Sequence, residues 1–364
     1  MDYKKMGILQ LIDSLEAGGA ERMAVNYANA LVNHVSFSGL VVTRKEGPLR
    51  NQVDEKVSYL FLNKERTLDF KAILRLRKYV LQNKVSVVHT HSTSFFLAFL
   101  LKLTLPSLQL IWHDHYGNSE FLSKRPIHAL RIIIPFFSGV IAVNQNLKRW
   151  TEEKLSFKKV IYLPNFPSEE KGVDEQTILK GIAGKRIVSS ANLRVQKDHF
   201  LLLEVARKLK VSHPDWTFHL IGKDFKDEYS QQIKDLIVTF NLEKNVFLYG
   251  TKSDVKNILE EATIAILTSQ SEGLPVALLE YGWYKKPVVV TAVGEISALI
   301  QNGKNGFIVA ARESELFYDA LVALIESKTL QMNFGNAFYK TIVENYSEEI
   351  VIKKYLNWLL NNCK

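Results

Sequence analysis

The chain contains 364 residues, of which 47% are hydrophobic and 23% are charged, and this composition excludes an intrinsically disordered protein. Cys363 is the only cysteine, which excludes an internal disulfide and is typical of a reducing compartment such as the cytoplasm. The first apolar run is interrupted by Asp13 and Glu16, so it predicts a β-strand and not a signal peptide. No other apolar run is long enough to span a bilayer.

The charge is distributed unevenly along the chain. Residues 1–165 contain 23 Lys and Arg against 13 Asp and Glu, a net charge of +10, whereas residues 166–364 contain 24 against 25, a net charge of −1. The different net charges of the two halves indicate two domains that contact different partners. The basic first half predicts contact with anionic lipid headgroups or lipid-linked phosphates, with nucleic acid or general solubility as the alternative explanations.

The first half of the chain alternates between short β-branched runs and amphipathic segments. The runs predict strands near residues 6–12, 37–43, 57–62, 85–89, 108–113, 139–143 and 159–163. The amphipathic segments predict helices near residues 20–33, 68–82, 92–104, 124–136 and 145–154. Strands that alternate with helices predict a parallel sheet covered on both faces, which binds ligands at the carboxyl ends of its strands.

The loop after the first strand contains Gly18 and Gly19. Glycines let the backbone approach a ligand closely, and the helix that follows offers its free N–H groups. A Gly-Gly pair is by itself more often a turn than a site, and it is not the G-x-G-x-x-G pattern of dinucleotide-binding proteins.

Two pairs of histidines lie at the ends of consecutive predicted strands. His89 and His91 end one strand, and His113 and His115 end the next. With Asp114, these side chains form a candidate metal site and favour a metal-dependent hydrolase as one hypothesis. We expect His91 instead to cap the helix that starts at Ser92.

The next polar residue at a strand end is Asn144, which is either a cleft residue or the N-cap of the following helix. Residues 166–184 contain a proline, a charge cluster and several glycines, and they predict a linker.

The second half opens with a strand followed by Arg194 and Lys197. A guanidinium and an ammonium three residues apart at a strand end are suited to holding a diphosphate. The simpler alternative is that both charges are solvated and bind no ligand. Further strands are predicted at 216–221, ending in Gly222, and at 245–249, ending before Thr251.

Residues 263–284 predict a buried strand, a polar turn and a helix. Glu272, Gly273, Leu274 and Pro275 lie at the turn, and Glu280 lies about a turn and a half into the helix. Free N–H groups at the helix start and a carboxylate on each side of it would bind a ligand with negative charge or hydroxyl groups.

These motifs resemble those of the glycosyl transferases group 1 (family 4), which are retaining enzymes with the GT-B fold. The resemblance is carried by Glu272-Gly-Leu-Pro with Glu280, by Arg194-x-x-Lys197 and by Gly18-Gly19-x-Glu21. It implies an α/β protein with two Rossmann-like, doubly wound parallel-sheet domains that face each other across a cleft, and a C-terminal helix that crosses back to the first domain.

The implied domains are an acceptor-binding domain at 1–165, the linker at 166–184, a nucleotide-sugar-binding domain at 185–345 and the returning helix at 346–364. The resemblance also implies roles for single residues. Arg194 and Lys197 would hold the diphosphate, Glu272 the sugar hydroxyls and Glu280 the ribose. His113, with His115 as the alternative, would contact the donor sugar near its reactive carbon. The other donor contacts are expected at Gly18, Gly19, Gly222, Thr251, Gly273, Leu274 and Pro275.

The expected function is therefore transfer of a sugar from a nucleotide-sugar, UDP-linked more than GDP-linked, to a glycan or lipid-linked glycan in bacterial cell-surface polysaccharide biosynthesis. The absence of an Asp-x-Asp motif predicts a metal-independent enzyme without a cofactor, and no nucleic-acid partner is expected. The expected location is the cytoplasm, with peripheral contact at the inner membrane face. A metal-dependent hydrolase using His89, His91 and His113, a non-catalytic nucleotide-sugar binder and a nucleotide-sugar epimerase are the alternatives.

Overall fold

The computed structural model describes residues 3–117, 119–168 and 176–362. It divides the chain into two compact units, of which the first comprises Met1–Gly172 with Ser347–Lys364 and the second comprises Val173–Tyr346. The predicted linker over residues 166–184 includes residues 169–175, which lie outside the described residues.

The first unit is built on a seven-stranded parallel sheet. Its strands are β1 (Gly7–Ser14), β2 (Phe37–Lys45), β3 (Ser58–Phe61), β4 (Val87–His91), β5 (Gln109–Asp114), β6 (Gly139–Ala142) and β7 (Val160–Tyr162). Their order across the sheet is β3-β2-β1-β4-β5-β6-β7. These are the strands that the sequence predicts, because the β-branched runs are buried on both faces of the sheet.

Five helices connect these strands, and a sixth returns from the end of the chain. They are α1 (Gly19–Leu31), α2 (Phe70–Gln82), α3 (Phe95–Thr104), α4 (His128–Ile133), α5 (Gln145–Lys154) and the returning helix, labelled α13 (Glu348–Asn362). The helix predicted over 124–136 is shorter than expected, since the chain passes into a 3-10 turn at Ile134–Phe136 that contains Pro135.

The returning helix α13 packs on the first unit. Tyr355 is buried and makes an edge contact with Tyr27 of α1, with ring centroids 5.1 Å apart. A Cβ atom on Gly139, at the start of β6, would overlap the indole of Trp358. The glycine therefore allows the helix to lie against the sheet, as the amphipathic pattern of the C-terminus requires.

The second unit has a six-stranded parallel sheet. Its strands are β8 (Arg186–Ser190), β9 (Thr217–Ile221), β10 (Val246–Gly250), β11 (Ile264–Leu267), β12 (Val288–Thr291) and β13 (Phe307–Val309), in the order β10-β9-β8-β11-β12-β13. Its helices are α6 (His199–Ser212), α7 (Glu228–Thr239), α8 (Val255–Glu261), α9 (Val276–Trp283), α10 (Ile296–Leu299), α11 (Ser314–Glu326) and α12 (Lys328–Asn345).

Each sheet has one point at which the strand order reverses. In the first sheet this point lies between β1 and β4, and in the second it lies between β8 and β11. The loops on the two sides of such a point diverge at the carboxyl ends of the strands and leave a crevice, so open parallel sheets bind their ligands there. The loops that carry Gly18, Arg194 and Glu272 all begin at these two points.

The apolar stretch Phe95–Leu101 in α3 is largely internal. Leu97, Ala98 and Leu101 are buried in the core against β4 and β5, and the remaining residues of the stretch are half-buried. No helix in the described part of the chain is long and apolar enough to cross a membrane.

Candidate active site

The loops that follow β8 and β11 meet at the reversal point of the second sheet. The first carries Arg194 and Lys197, and the second carries Glu272. The Lys197 ammonium donates a hydrogen bond to Oε1 of Glu272 at 2.5 Å, and the Ser269 hydroxyl donates to the same oxygen at 2.6 Å. Glu272 is only 5% exposed, so this ion pair is largely removed from solvent. The loops that carry these two sequence motifs therefore lie side by side and are bonded to each other.

Further bonds hold the same two loops together. The Thr268 hydroxyl donates to the Lys197 carbonyl at 2.9 Å. The Gln270 side chain donates to Asp198 at 2.8 Å, and its backbone N–H donates to the Gln196 carbonyl at 2.8 Å. Asp198 has a left-handed backbone, φ 48°, and caps α6 by accepting from the Leu201 N–H. These contacts restrict the motion of the loop that presents Lys197.

A third loop closes against the Glu272 loop at Gly294. Its φ is +54°, and a Cβ atom there would overlap the carbonyl oxygens of Glu272 and Gly273. The N–H of Glu295 donates to the Gly273 carbonyl at 3.0 Å. The positive φ of Gly294 and its close contacts explain why glycine is required after β12.

Helix α9 begins directly after the Glu272 loop. Pro275 is its N-cap residue and Val276 its first residue, so its free N–H groups face the crevice end of β11. Leu274 is buried beneath this turn, and Glu280 is 8% exposed. The arrangement combines a helix N-terminus, an ammonium and two carboxylates, which suits a ligand that carries both a phosphate group and hydroxyl groups.

Arg194 is exposed, and its guanidinium lies over the ring of Phe225, 4.5 Å from the ring centroid. The Lys223 ammonium lies 5.3 Å from the same centroid. Sequence reasoning missed Lys223 and Phe225, whose only signal is their position after β9. The ring thus contacts two cations of neighbouring loops, and such cations are suited to binding a diphosphate.

The remaining predicted donor residues of this unit lie at the ends of β9 and β10. Gly222 follows β9, and a Cβ atom on it would overlap the Ala191 carbonyl of the Arg194 loop. Its N–H donates to the carbonyl of Gly250, which has φ +67° and precedes the exposed Thr251. The glycines thus bring the β8, β9 and β10 loops close to one another.

In the first unit, Gly18 and Gly19 lie where α1 begins. Gly18 is the N-cap residue, and Gly19 is the first residue of the helix. The Ser14 hydroxyl at the end of β1 donates to Glu21 at 3.3 Å. The Gly-Gly pair therefore forms the turn between β1 and α1, at the reversal point of the first sheet.

The four histidines at the ends of β4 and β5 form two layers. Nε2 of His89 lies 3.1 Å from Nδ1 of His113, and Nδ1 of His91 lies 3.0 Å from Nε2 of His115. The ring planes within the two pairs differ by 12° and 17°, so the two rings of each pair are nearly parallel. The His113 ring stacks on that of His115, with centroids 3.9 Å apart.

Burial keeps these imidazoles neutral. It lowers the pKa of His89, His91 and His113 well below the ordinary value, and it lowers the pKa of His115 to about 3. His113, the predicted contact to the donor sugar, is fully buried and bonded to His89, whereas its alternative His115 is half-buried. The structure therefore favours His115 as the residue that a ligand reaches.

The histidine cluster also bears on the metal hypothesis. Ligand atoms of His89, His91 and His113 lie within 4.8 Å of one another. However, the facing nitrogens of His89 and His113 already form a hydrogen bond to each other. Asp114 does not join them, since both its oxygens accept hydrogen bonds from Arg125 at 2.6 and 2.8 Å.

His91 and Asn144 are both candidate helix caps, and only Asn144 caps a helix with its side chain. The expectation that His91 caps the helix from Ser92 is wrong, because its ring nitrogens bond to His115 and to Gln10. Asn144 is an N-cap, since its side-chain oxygen accepts from the Leu147 N–H at 2.7 Å.

Comparison with known proteins identifies the family. The model of the glycosyl transferases group 1 matches residues 174–341, and that of glycosyltransferase family 4 matches residues 17–170. The UDP-Gal:alpha-D-GlcNAc-diphosphoundecaprenol alpha-1,3-galactosyltransferase of Escherichia coli is 23% identical over 93% of this chain and 92% of its own. The amylovoran biosynthesis glycosyltransferase AmsD of Erwinia amylovora is 24% identical over 97% of this chain and 99% of its own.

Among solved structures, Anabaena Alr3699/HepE in complex with UDP and glucose has a TM-score of 0.79 at 14% identity, covering 98% of this chain and 100% of that one. This likeness shows the fold. Because the two family models together cover most of the chain, the chain belongs to the group 1 (family 4) glycosyltransferases with the GT-B fold.

Proposed function

We propose that the chain transfers a sugar from a UDP-sugar to a hydroxyl group of a glycan or lipid-linked glycan, with retention at the anomeric carbon and without a metal ion. The observation that carries the proposal is the Lys197–Glu272 pair at the start of α9, which joins a phosphate-binding cation to a sugar-binding carboxylate.

The negative charge of the departing diphosphate is met by Arg194, Lys197 and the N–H groups at the start of α9. An ammonium has three N–H donors and Glu272 accepts one, so two remain for phosphate oxygens. A guanidinium holds two oxygens in a fixed geometry. These fixed charges stabilise the transition state in the role that a divalent cation takes in other transferases.

The two carboxylates hold neutral parts of the donor. Glu272 accepts hydrogen bonds from sugar hydroxyls, and Glu280 accepts from the ribose hydroxyls. Retention follows when the acceptor oxygen attacks from the face that the diphosphate leaves. The bond from the anomeric carbon to the phosphate oxygen breaks, the bond to the acceptor oxygen forms, and a phosphate oxygen takes the acceptor proton.

The names of the relatives support the substrate classes. The Escherichia coli relative is named for UDP-galactose and a diphosphoundecaprenol acceptor, the Erwinia relative for amylovoran biosynthesis, and the Anabaena structure holds UDP and glucose. A UDP-sugar donor and a role in bacterial cell-surface polysaccharide biosynthesis are the corresponding proposals for this chain.

The first test is thermal stability with uridine and guanosine nucleotides and their sugars, without metal. A ligand at a hundredfold excess over its Kd should stabilise the protein by about 2.7 kcal/mol. We expect a shift with UDP compounds that is lost in Glu280→Ala and kept in Glu260→Ala, a change at an exposed helix position. A shift with zinc or manganese, and none with any nucleotide, would overturn the proposal and favour a histidine metal site.

We also propose that the protein works in the cytoplasm, with peripheral contact to the inner membrane face. The supporting feature is the basic helix face, which we define as the outer side of α2, α3 and α4. Its apolar side chains are Phe70, Leu74, Leu81, Leu103 and Ile132. Phe70 is 75% exposed and Ile132 is 70% exposed.

The charge of this face supports an anionic membrane as its partner. Helix α2 carries four Lys and Arg, and α3 and α4 carry one each, while the three helices contain no Asp or Glu. A surface with exposed apolar side chains among cations suits anionic lipid headgroups, which attract each cation by about 1 kcal/mol near the surface.

Vesicle sedimentation tests this contact. We expect binding to phosphatidylglycerol vesicles, weak binding to phosphatidylcholine vesicles and loss of binding in Phe70→Ser/Leu74→Ser. Met332→Ser removes an equally exposed apolar side chain from α12 and should bind as the wild type does. Equal binding by all three proteins would contradict the assigned face, and no binding by the wild type would contradict membrane contact.

A further inference from the structure

His115 stands at the carboxyl end of β5, next to the reversal point of the first sheet. It is half-buried, and its ring plane is held by stacking on His113. Its Nε2 atom is bonded to His91, so Nδ1 is the nitrogen left for a ligand. The proton on this imidazole decides whether Nδ1 donates or accepts a hydrogen bond.

Gln10 determines the position of that proton through His91. The side-chain oxygen of Gln10 lies 2.9 Å from Nε2 of His91 and can only accept, so Nε2 of His91 carries the hydrogen. A neutral imidazole has one N–H, and Nδ1 of His91 must therefore accept. It accepts from Nε2–H of His115, which leaves Nδ1 of His115 without a hydrogen.

We infer that Gln10 is a positioning residue which, through His91, presents Nδ1 of His115 as a hydrogen-bond acceptor for a hydroxyl of the sugar substrate. This inference rests on the proposed function for the identity of the ligand. It assigns His91 a role inside the protein and His115 the contact with substrate.

We call the hydrogen bonds that connect Gln10, His91 and His115 the relay. The surroundings of the relay support a fixed tautomer. Gln10 and His91 are fully buried, so water does not replace either partner. Burial lowers the pKa of His91 and of His115, so each of these imidazoles keeps a single N–H. The other layer is separate, because His89 and His113 bond to each other.

The decisive measurement is the tautomer of His115 in the wild-type protein. Long-range proton–nitrogen correlation spectra of ¹⁵N-histidine-labelled protein distinguish the two ring nitrogens, and His115→Gln assigns the signals. We expect the proton on Nε2 and a bare Nδ1. A proton on Nδ1 would overturn the inference and would mean that the amide nitrogen of Gln10 faces His91.

A variant series tests the influence of Gln10. Gln10→Leu removes the acceptor at similar volume, and we expect a mixture of His115 tautomers and a fall in kcat of about tenfold, with an unchanged KM for the nucleotide-sugar. Thr90→Val is the matched control, since it removes a bond between the buried hydroxyl of Thr90, on β4, and that of Ser94, in the 3-10 turn that follows β4. Its tautomer and kcat should equal those of the wild type.

The tautomer and kcat test the role of Gln10, whereas binding of UDP-sugars tests the proposed function. An unchanged tautomer in Gln10→Leu, or an unchanged kcat with a mixed tautomer, would overturn the positioning role. If Gln10→Leu does not fold, the wild-type spectrum still decides whether Nδ1 is an acceptor. Failure of every UDP-sugar to bind would instead contradict the proposed function, whatever the tautomer.

Discussion

The ammonium of Lys197 and the carboxylate of Glu272 are joined at 2.5 Å although 75 residues separate them in the chain. Their loops leave neighbouring strands, β8 and β11, at the one point where the second sheet reverses its strand order. In the proposed function, the cation of this pair binds the diphosphate and the carboxylate binds the sugar.

The Lys197–Glu272 pair should be energetically coupled. Lys197→Met leaves the nearly buried carboxylate without its ammonium partner and should destabilise the protein by about 3 kcal/mol. Adding Glu272→Gln should cost less than the sum of the two single changes, by about 1 kcal/mol or more. Urea unfolding of the four proteins measures this coupling. Additive single effects would show that the pair does not stabilise the loops.

Gly294 should be intolerant of any side chain. Gly294→Ala places a Cβ atom against the carbonyl oxygens of Glu272 and Gly273, and it should lower Tm and weaken UDP binding together. Gly303→Ala is the control, because Gly303 also has a positive φ, 73°, but open space around its Cβ position. It should cost about 1 kcal/mol of backbone strain and leave UDP binding unchanged. Equal effects of the two changes would contradict the steric explanation.

Stability should decrease as the pH falls below about 6.5, and His219 should contribute. Its side chain is buried between Thr217 and Tyr249, and burial lowers its pKa from 6.5 to about 4. Between these values the unfolded chain binds a proton that the folded chain does not. The stabilisation is therefore complete above pH 6.5 and is lost towards pH 4, with a slope of about 1.4 kcal/mol per pH unit.

His219→Gln should reduce this slope by that amount, as measured by urea unfolding at several pH values. The remaining slope is expected from the other buried histidines, whose pKa values are lowered by the same cause, namely His89, His91, His113, His115 and His199. An unchanged slope in the variant would show that His219 is not held neutral by the fold.

Asn144 should stabilise α5 through its cap. Asn144→Ala removes the acceptor for the Leu147 N–H and should cost about 1 kcal/mol, whereas Asn144→Asp keeps an acceptor and should cost less. Chemical denaturation of both variants compares them. Two equal losses would show that the amide group matters in another way.

Much of the fold could be predicted from the sequence, and so could the candidate residues of the proposed donor site. The strands of the first sheet and the returning helix follow from local periodicity, which depends only on residues close in the chain. Arg194, Lys197, Glu272 and Glu280 could be named because their motifs resemble those of a known family, and their contacts with a donor remain predictions.

Which residues touch was decided by the tertiary structure. The pairing of Lys197 with Glu272 and the requirement for glycine at 294 depend on strand order, which no local pattern encodes. The histidines show the same limit. Their positions in the sequence could not distinguish a metal site, a cap or a relay, because the outcome depends on Gln10, a polar residue on a buried strand 81 positions from His91. Sheet pairing places that acceptor beside the imidazole, and the hydrogen bond then determines what His115 offers to a ligand.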